Sequence, residues 1–179
     1  MFSVASFGTV PWFLPGVALS VVLALVVCGP LGRALGVGRL TAWLLVVGVG
    51  VVLVTTLTPQ REALELGALG TGTCDFSRVT LAPLAFYGGK NDSAQNVLLF
   101  VPLGLALALV PRSRRKVALA AGAVLLPFAI EAVQRQAVAL NRSCQSADVV
   151  DNLAGLIIGV AIGSLIAYAR SAGARRQRT

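Results

Sequence analysis

The chain contains no histidine. That removes the side chain best suited to acid–base work near neutral pH and the commonest metal ligand. No serine or cysteine stands in a recognisable nucleophile motif, so covalent catalysis has little support. Charge is also scarce: Asp, Glu, Lys and Arg make up 12% of 179 residues, against roughly 25% in an ordinary soluble domain, and 56% of the chain is hydrophobic. Such a composition excludes a soluble domain and implies an integral membrane protein. Acids are the scarcest charged class, 7 against 15 Lys and Arg, a formal net charge of +8. Nucleic acid is not the expected partner. The basic residues form short clusters beside apolar runs, without interleaved aromatics. No positive region precedes the first apolar run in MFSVASFGTVPWF, so the N-terminal segment is expected to be a retained helix rather than a signal peptide.

Five apolar segments emerge: Trp12 to Cys28, Leu40 to Leu57, Ala94 to Val110, Val117 to Val133 and Val149 to Tyr168. Each approaches the ~20 residues that a crossing needs. The expected fold is an all-α integral membrane protein, a single domain over residues 1–179 with a bundle of about five transmembrane helices. Arg33, Arg39, Arg112, Arg114, Arg115, Lys116, Arg170, Arg175, Arg176 and Arg178 lie in the gaps after the first and third segments and in the tail. The other side has only Arg61, Arg78, Lys90, Arg135 and Arg142, mixed with acids. The positive-inside bias then predicts the N-terminus outside and the C-terminus, with a basic tail over 169–179, in the cytoplasm. The long loop from Pro59 to Ser93, between the second and third segments, would lie outside. Its apolar patch LAPLAFY, residues 81–87, is too short to cross and is expected in the interface or dipping back against the bundle.

Gly155, Gly159 and Gly163 recur every four residues on one face of the last segment, a spacing that permits close helix contact. Pro102 and Pro127 are expected to kink the third and fourth segments. Cys74 and Cys144 both fall in outer loops, where a disulfide can persist, which makes them a candidate pair; Cys28 has no candidate partner.

The polar residues converge at one depth. Asp92 and Asn96 share a face at the outer start of the third segment; Glu131 and Gln134 share one at the end of the fourth; Asp148, Asp151 and Asn152 open the fifth. Each alone has a plain structural reading: Asp92, Ser93 and Asp148 suit helix N-termini, and Glu131 can pair with Arg135 one turn on. Caps alone do not require Asn96, Glu131, Gln134, Asp151 and Asn152 one turn further in. Arg142, in the loop before the last segment, is positioned to neutralise some of these acids.

These same residues resemble the VanZ-like family of bacterial membrane proteins, named for a teicoplanin-resistance protein. DSAQNVLLFVPLGLAL is similar to the family's N-x-x-x-F-x-P-x-G block, at Asn96, Phe100, Pro102 and Gly104; FAIEAVQ to its E-x-x-Q block, at Glu131 and Gln134; and RSCQSADVVDNLAGLIIG to its closing block, at Arg142, Asp148, Asn152, Gly155 and Gly159. The resemblance covers about residues 57–166. Members often carry several acids before the final helix; here Gln145, Ser146 and Ala147 fill that stretch, and Asp151 is not a family position. The resemblance implies a multi-pass protein of the bacterial plasma membrane, linked in some members to glycopeptide resistance.

Two functions follow as expectations. In one, a non-enzymatic envelope protein binds a wall precursor, lipid or glycopeptide at an outer-leaflet site, with Arg142 holding a phosphate or carboxylate, Asn96, Gln134 and Asn152 supplying neutral hydrogen bonds, and Asp92 at the rim. In the other, a membrane-embedded hydrolase or transferase works on a lipid-linked or peptidoglycan substrate, with Glu131 as general acid/base and Asp148 as its ionised partner. No cofactor is expected, although Asp92, Glu131 and Asp148 are chemically able to hold Mg²⁺ or Ca²⁺.

Overall fold

The computed structural model describes residues 10–87 and 92–176. Gly88, Gly89, Lys90 and Arg178 fall outside the described residues, as do the side chains of Arg175 and Arg176. Helices α1 (Phe13–Leu35), α2 (Arg39–Leu57), α3 (Arg61–Leu66), α4 (Leu84–Tyr87), α5 (Asp92–Ala108), α6 (Arg114–Gln136) and α7 (Ser146–Arg176) make an all-helical chain apart from one two-residue pairing, β1 (Cys74–Asp75) with β2 (Cys144–Gln145).

Four of these helices are long and apolar enough to cross a membrane: α1, α2, α6 and, in α7, Ser146–Gly173. The third expected crossing, α5, is shorter, at 17 residues. The first helix runs past Cys28 to Leu35, so the basic stretch after Cys28 is largely helical rather than a loop. Pro30 is accommodated inside it. The helix stops where Gly36 takes the left-handed conformation, with its N–H and that of Val37 returning to the carbonyls of Arg33 and Gly32. Pro102 and Pro127 likewise sit inside continuous helices.

The α5–α7 pair is the most extensive helix contact. Gly155, Gly159 and Gly163 lie successively against the backbone at Val97, Val101 and Leu105, so the offset stays constant and the two helices run parallel. Gly104 of α5 answers at Leu156. Any side chain at these contacts would collide with backbone, and it is the missing Cβ atoms that let the axes approach. Around this pair α2 and α6 close a core of Val52, Phe100, Leu103, Leu107, Val110, Ile130 and Leu156. Helix α1 packs chiefly on α2 and exposes Leu14, Leu19, Leu25 and Val26.

Arg33, Arg39, Arg112, Arg114, Arg115 and Lys116 gather at one end. Lys116 caps the end of α5 by donating to Ala108 O at 3.0 Å, and Arg115 reaches the Ala34 carbonyl near the end of α1. Helices α5 and α7 both start at the opposite end, which gathers the acids.

Candidate functional site

At the acidic end the segment following α2 is tied to the α6–α7 connection. Gln60 N–H donates to Leu140 O at 3.1 Å and Gly70 N–H to Val138 O at 2.7 Å. Gly70 lies so near the backbone of Arg142 that a Cβ would sit 2.8 Å from its carbonyl oxygen, and Gly72 has φ 66°, which favours glycine. Next comes the disulfide between Cys74 and Cys144, 70 residues apart, with β1 and β2 paired in parallel through Cys74–Cys144 and Asp75–Gln145.

Beyond Cys74, Asp75 accepts the Ser77 N–H at 2.8 Å and turns the chain; that hydrogen bond holds its carboxyl below the usual carboxylate range. Ser146 Oγ, at the start of α7, donates to Arg78 O at 2.8 Å and to Asp75 O at 3.2 Å. The Arg78 side chain then enters the bundle end. Its Nη2 donates to Asp151 Oδ2 at 2.6 Å and to Ser93 Oγ at 3.1 Å; its Nη1 donates to Asp151 Oδ1 at 3.3 Å and to Thr80 O at 2.8 Å. The hydrogen bond to Asp151 raises the Arg78 pKa. Tyr87 Oη donates to Asp151 Oδ1 at 2.7 Å and accepts the Ala82 N–H at 3.0 Å. Asp151 is 0% exposed, a charge tolerable there because three donors surround it. The 81–87 patch thus turns back against the start of α5, through α4 and Tyr87.

Between this strap and the helix starts lies a cleft of about 360 Å³ lined by Asp75, Ser77 and Arg78 from the strap, Asp92 and Ser93 from α5, and Gln145, Ala147 and Asp148 from β2 and α7. Three carboxylates face it. Among the described lining residues the single cation, Arg78, is bound to Asp151.

The expected site residues divide between the cleft and the layer beneath it. Asp92 is exposed and Asp148 half-buried at the cleft, with Asn96 in hydrogen-bonding reach of Asp148. Glu131, 6% exposed, does not line the cleft and does not pair with Arg135: its Oε2 accepts the Gln145 N–H at 2.6 Å. Gln134 is buried and donates to Thr56 O at 2.9 Å, linking α6 to α2. Asn152, 1% exposed, sits one turn inside Asp148 on α7, and its Oδ1, like Gln134 Oε1, is buried without a hydrogen-bond partner.

Arg142 feels the charges of Asp92 and Asp148 without a direct ion pair to either. Its guanidinium donates to Thr58 O at 3.3 and 3.4 Å, outside the cleft lining, and forms no ion pair among the described residues. Burial lowers its pKa, while the charges of Asp92 and Asp148 act the other way. The cation that neutralises a buried acid is Arg78, and the acid is Asp151, the one that falls outside the family pattern. Its sequence signal is weak, since Arg78 is one of two arginines in the long loop and nothing in their spacing selects it. Nor do the acids converge on a metal: among the described residues no three His, Cys, Asp or Glu side chains are grouped to hold an ion, so Asp92, Glu131 and Asp148 do not form the Mg²⁺ or Ca²⁺ site that their chemistry allows.

The model of the VanZ/LLP1 family matches residues 43–167, from within α2 to within α7, and so includes the strap, the cleft and every expected site residue. Neither a curated protein nor a solved structure matches the chain.

Proposed function

From the chain's membership of the VanZ/LLP1 family, we propose that this multi-pass membrane protein belongs to the bacterial plasma membrane and binds an amine-bearing envelope molecule, a wall precursor, lipid or glycopeptide, in the cleft at its outer face. In this reading the N-terminus is outside and the C-terminus cytoplasmic. The positive-inside bias supports that orientation, and so does a disulfide at the acidic end, since disulfides persist outside the reducing cytosol.

The observation that carries the reading is the charge of the cleft. Asp75, Asp92 and Asp148 line it while the one arginine among its described lining residues is engaged by Asp151, so an ammonium group finds carboxylate acceptors and a phosphate finds no available cation among the described lining residues. Ser77, Ser93 and Gln145 add neutral hydrogen-bonding groups. The binding reading is favoured over a hydrolase or transferase because Glu131, the intended acid/base, is withdrawn from the cleft and engaged by a backbone N–H. Contribution to teicoplanin tolerance would follow if the ligand is the antibiotic or its target.

Titration of nanodisc-reconstituted protein with phosphatidylethanolamine, phosphatidylglycerol, teicoplanin and lipid-linked wall precursor tests this. At least one amine-bearing probe should bind, and Asp148→Asn with Asp92→Asn should weaken it tenfold or more, without affecting phosphatidylglycerol. Equal affinity for amine-bearing and amine-free probes, or indifference to both substitutions, would overturn the reading.

A further inference from the structure

The disulfide joins two of the three walls of the cleft. Immediately after Cys74 come Asp75, Ser77 and Arg78; immediately after Cys144 come Gln145, Ala147 and Asp148. The first wall has little else to hold it. Phe76 is 71% exposed, so no apolar anchor lies between Cys74 and Arg78. Upstream the nearest tie is Gly70 N–H to Val138 O, and downstream Arg78 is fixed by Asp151. Residues 71–77 therefore run between two fixed points, with the disulfide, the two-residue β1–β2 pairing and the Ser146 bond to Asp75 O as their attachments to the opposite wall. On the other side the peptide that follows Cys144 supplies the N–H held by Glu131.

We propose that Cys74–Cys144 is a thiol–disulfide exchange site through which an envelope dithiol oxidoreductase, carrying two cysteines that cycle between dithiol and disulfide, opens and closes the cleft. The two sulfurs differ in access. Cys144 is 6% exposed, whereas Cys74 is half-buried between exposed Thr73 and Asp75. A partner thiolate attacks Cys74 Sγ, the Cys74–Cys144 bond breaks, and Cys144 leaves as a thiolate that takes a proton. The partner's second thiol then attacks the mixed disulfide, freeing Cys74 as a thiol and leaving the partner oxidised. Two electrons and two protons pass from the partner to the pair. With the clamp gone, the two-residue β1–β2 pairing is too short to persist alone and parts, residues 71–77 swing about Arg78, and the acidic wall formed by Asp75 separates from Asp148. The helical core contains neither cysteine and keeps its packing. The proposal rests on the outward orientation of the acidic end but not on the identity of any ligand.

Hydrogen exchange on nanodisc-reconstituted Cys28→Ser protein, oxidised, reduced after folding and then reoxidised, reads the opening directly. Reduction should raise exchange tenfold or more in segments 71–78 and 143–147, leave α2, α5 and α6 unchanged, and reverse on reoxidation; a Cys74→Ser/Cys144→Ser variant should match the reduced form. Unchanged exchange in both segments, or an equal rise through α5 and α7, would overturn the gate. A thioredoxin-type protein lacking its resolving cysteine should be trapped on Cys74; trapping on Cys144, or none, would overturn the exchange site. In intact cells a membrane-impermeant reagent should reach the reduced thiols. Labelling only after permeabilisation would refute the orientation, and with it the envelope reductant, while the exchange data would still decide the clamp.

Discussion

Arg78 and Asp151, 73 residues apart in sequence, are joined by two hydrogen bonds, the shorter of 2.6 Å, in a pair whose acid is wholly buried and whose arginine side chain is 26% exposed. This pair fastens the strap to the last helix.

Removing one member should cost more than removing both. Arg78→Ala leaves a buried carboxylate with only Tyr87 as donor and should destabilise the protein by about 3 kcal/mol, whereas Arg78→Met/Asp151→Leu should recover a large part of that loss. Denaturation in a defined detergent measures both, and a coupling energy below roughly 0.5 kcal/mol would show that the pair is not acting as a unit.

The glycine stripe yields a contrast. Gly159→Ala puts a methyl group against the backbone at Val101 and Leu105 and should destabilise by about 1–3 kcal/mol. Gly122→Ala in α6 meets nothing within 4 Å and should be neutral or stabilise by up to ~1 kcal/mol. The same unfolding assay separates the two.

Glu131 should act as an acceptor rather than through its charge alone. Glu131→Gln retains an oxygen for the Gln145 N–H, while Glu131→Leu strands that donor. Exchange of the Gln145 amide should change severalfold at most in the first variant and by tenfold or more in the second.

Alkaline pH should loosen the strap. Burial, then the hydrogen bond to Asp151, raises the Tyr87 pKa above its ordinary value near 10, despite opposing effects from the Ala82 N–H and Arg78. The folded state thus holds the phenolic proton more tightly than the unfolded chain. Its contribution is complete below pH ~10 and is lost as pH rises through the higher folded value. Stability between pH 9 and 12 should fall more steeply in the wild type than in Tyr87→Phe, and parallel curves would exclude Tyr87 as the source.

What was legible in the sequence is what repeats locally. Gly155, Gly159 and Gly163 announce a close helix contact through a four-residue period, and the apolar runs mark the helices, although α1 continues through Pro30 to Leu35, past the apolar run that ends at Cys28. The acids that reach one depth were visible by counting turns. Which cation meets which acid was not: the Arg78 strap owes its position to a turn at Asp75, to the tie at Cys74 and to a partner 73 residues on, none of which leaves a period. Arg142 was the nearer arginine in sequence, and burial directs it to Thr58 O instead.

Helix α5 carries one more consequence. Its 17 residues rise only about 26 Å, less than the ~30 Å of hydrocarbon in a typical bilayer, while the helices around it are longer. The constant register that sets Gly155 against Val97 and Gly163 against Leu105 makes α7 overrun the described start of α5 by about one turn and its end by more than two. The turn by which α7 overhangs α5 at the acidic end is the one that carries Ala147 and Asp148 into the cleft lining, so the cleft owes its depth to the stagger between two parallel helices.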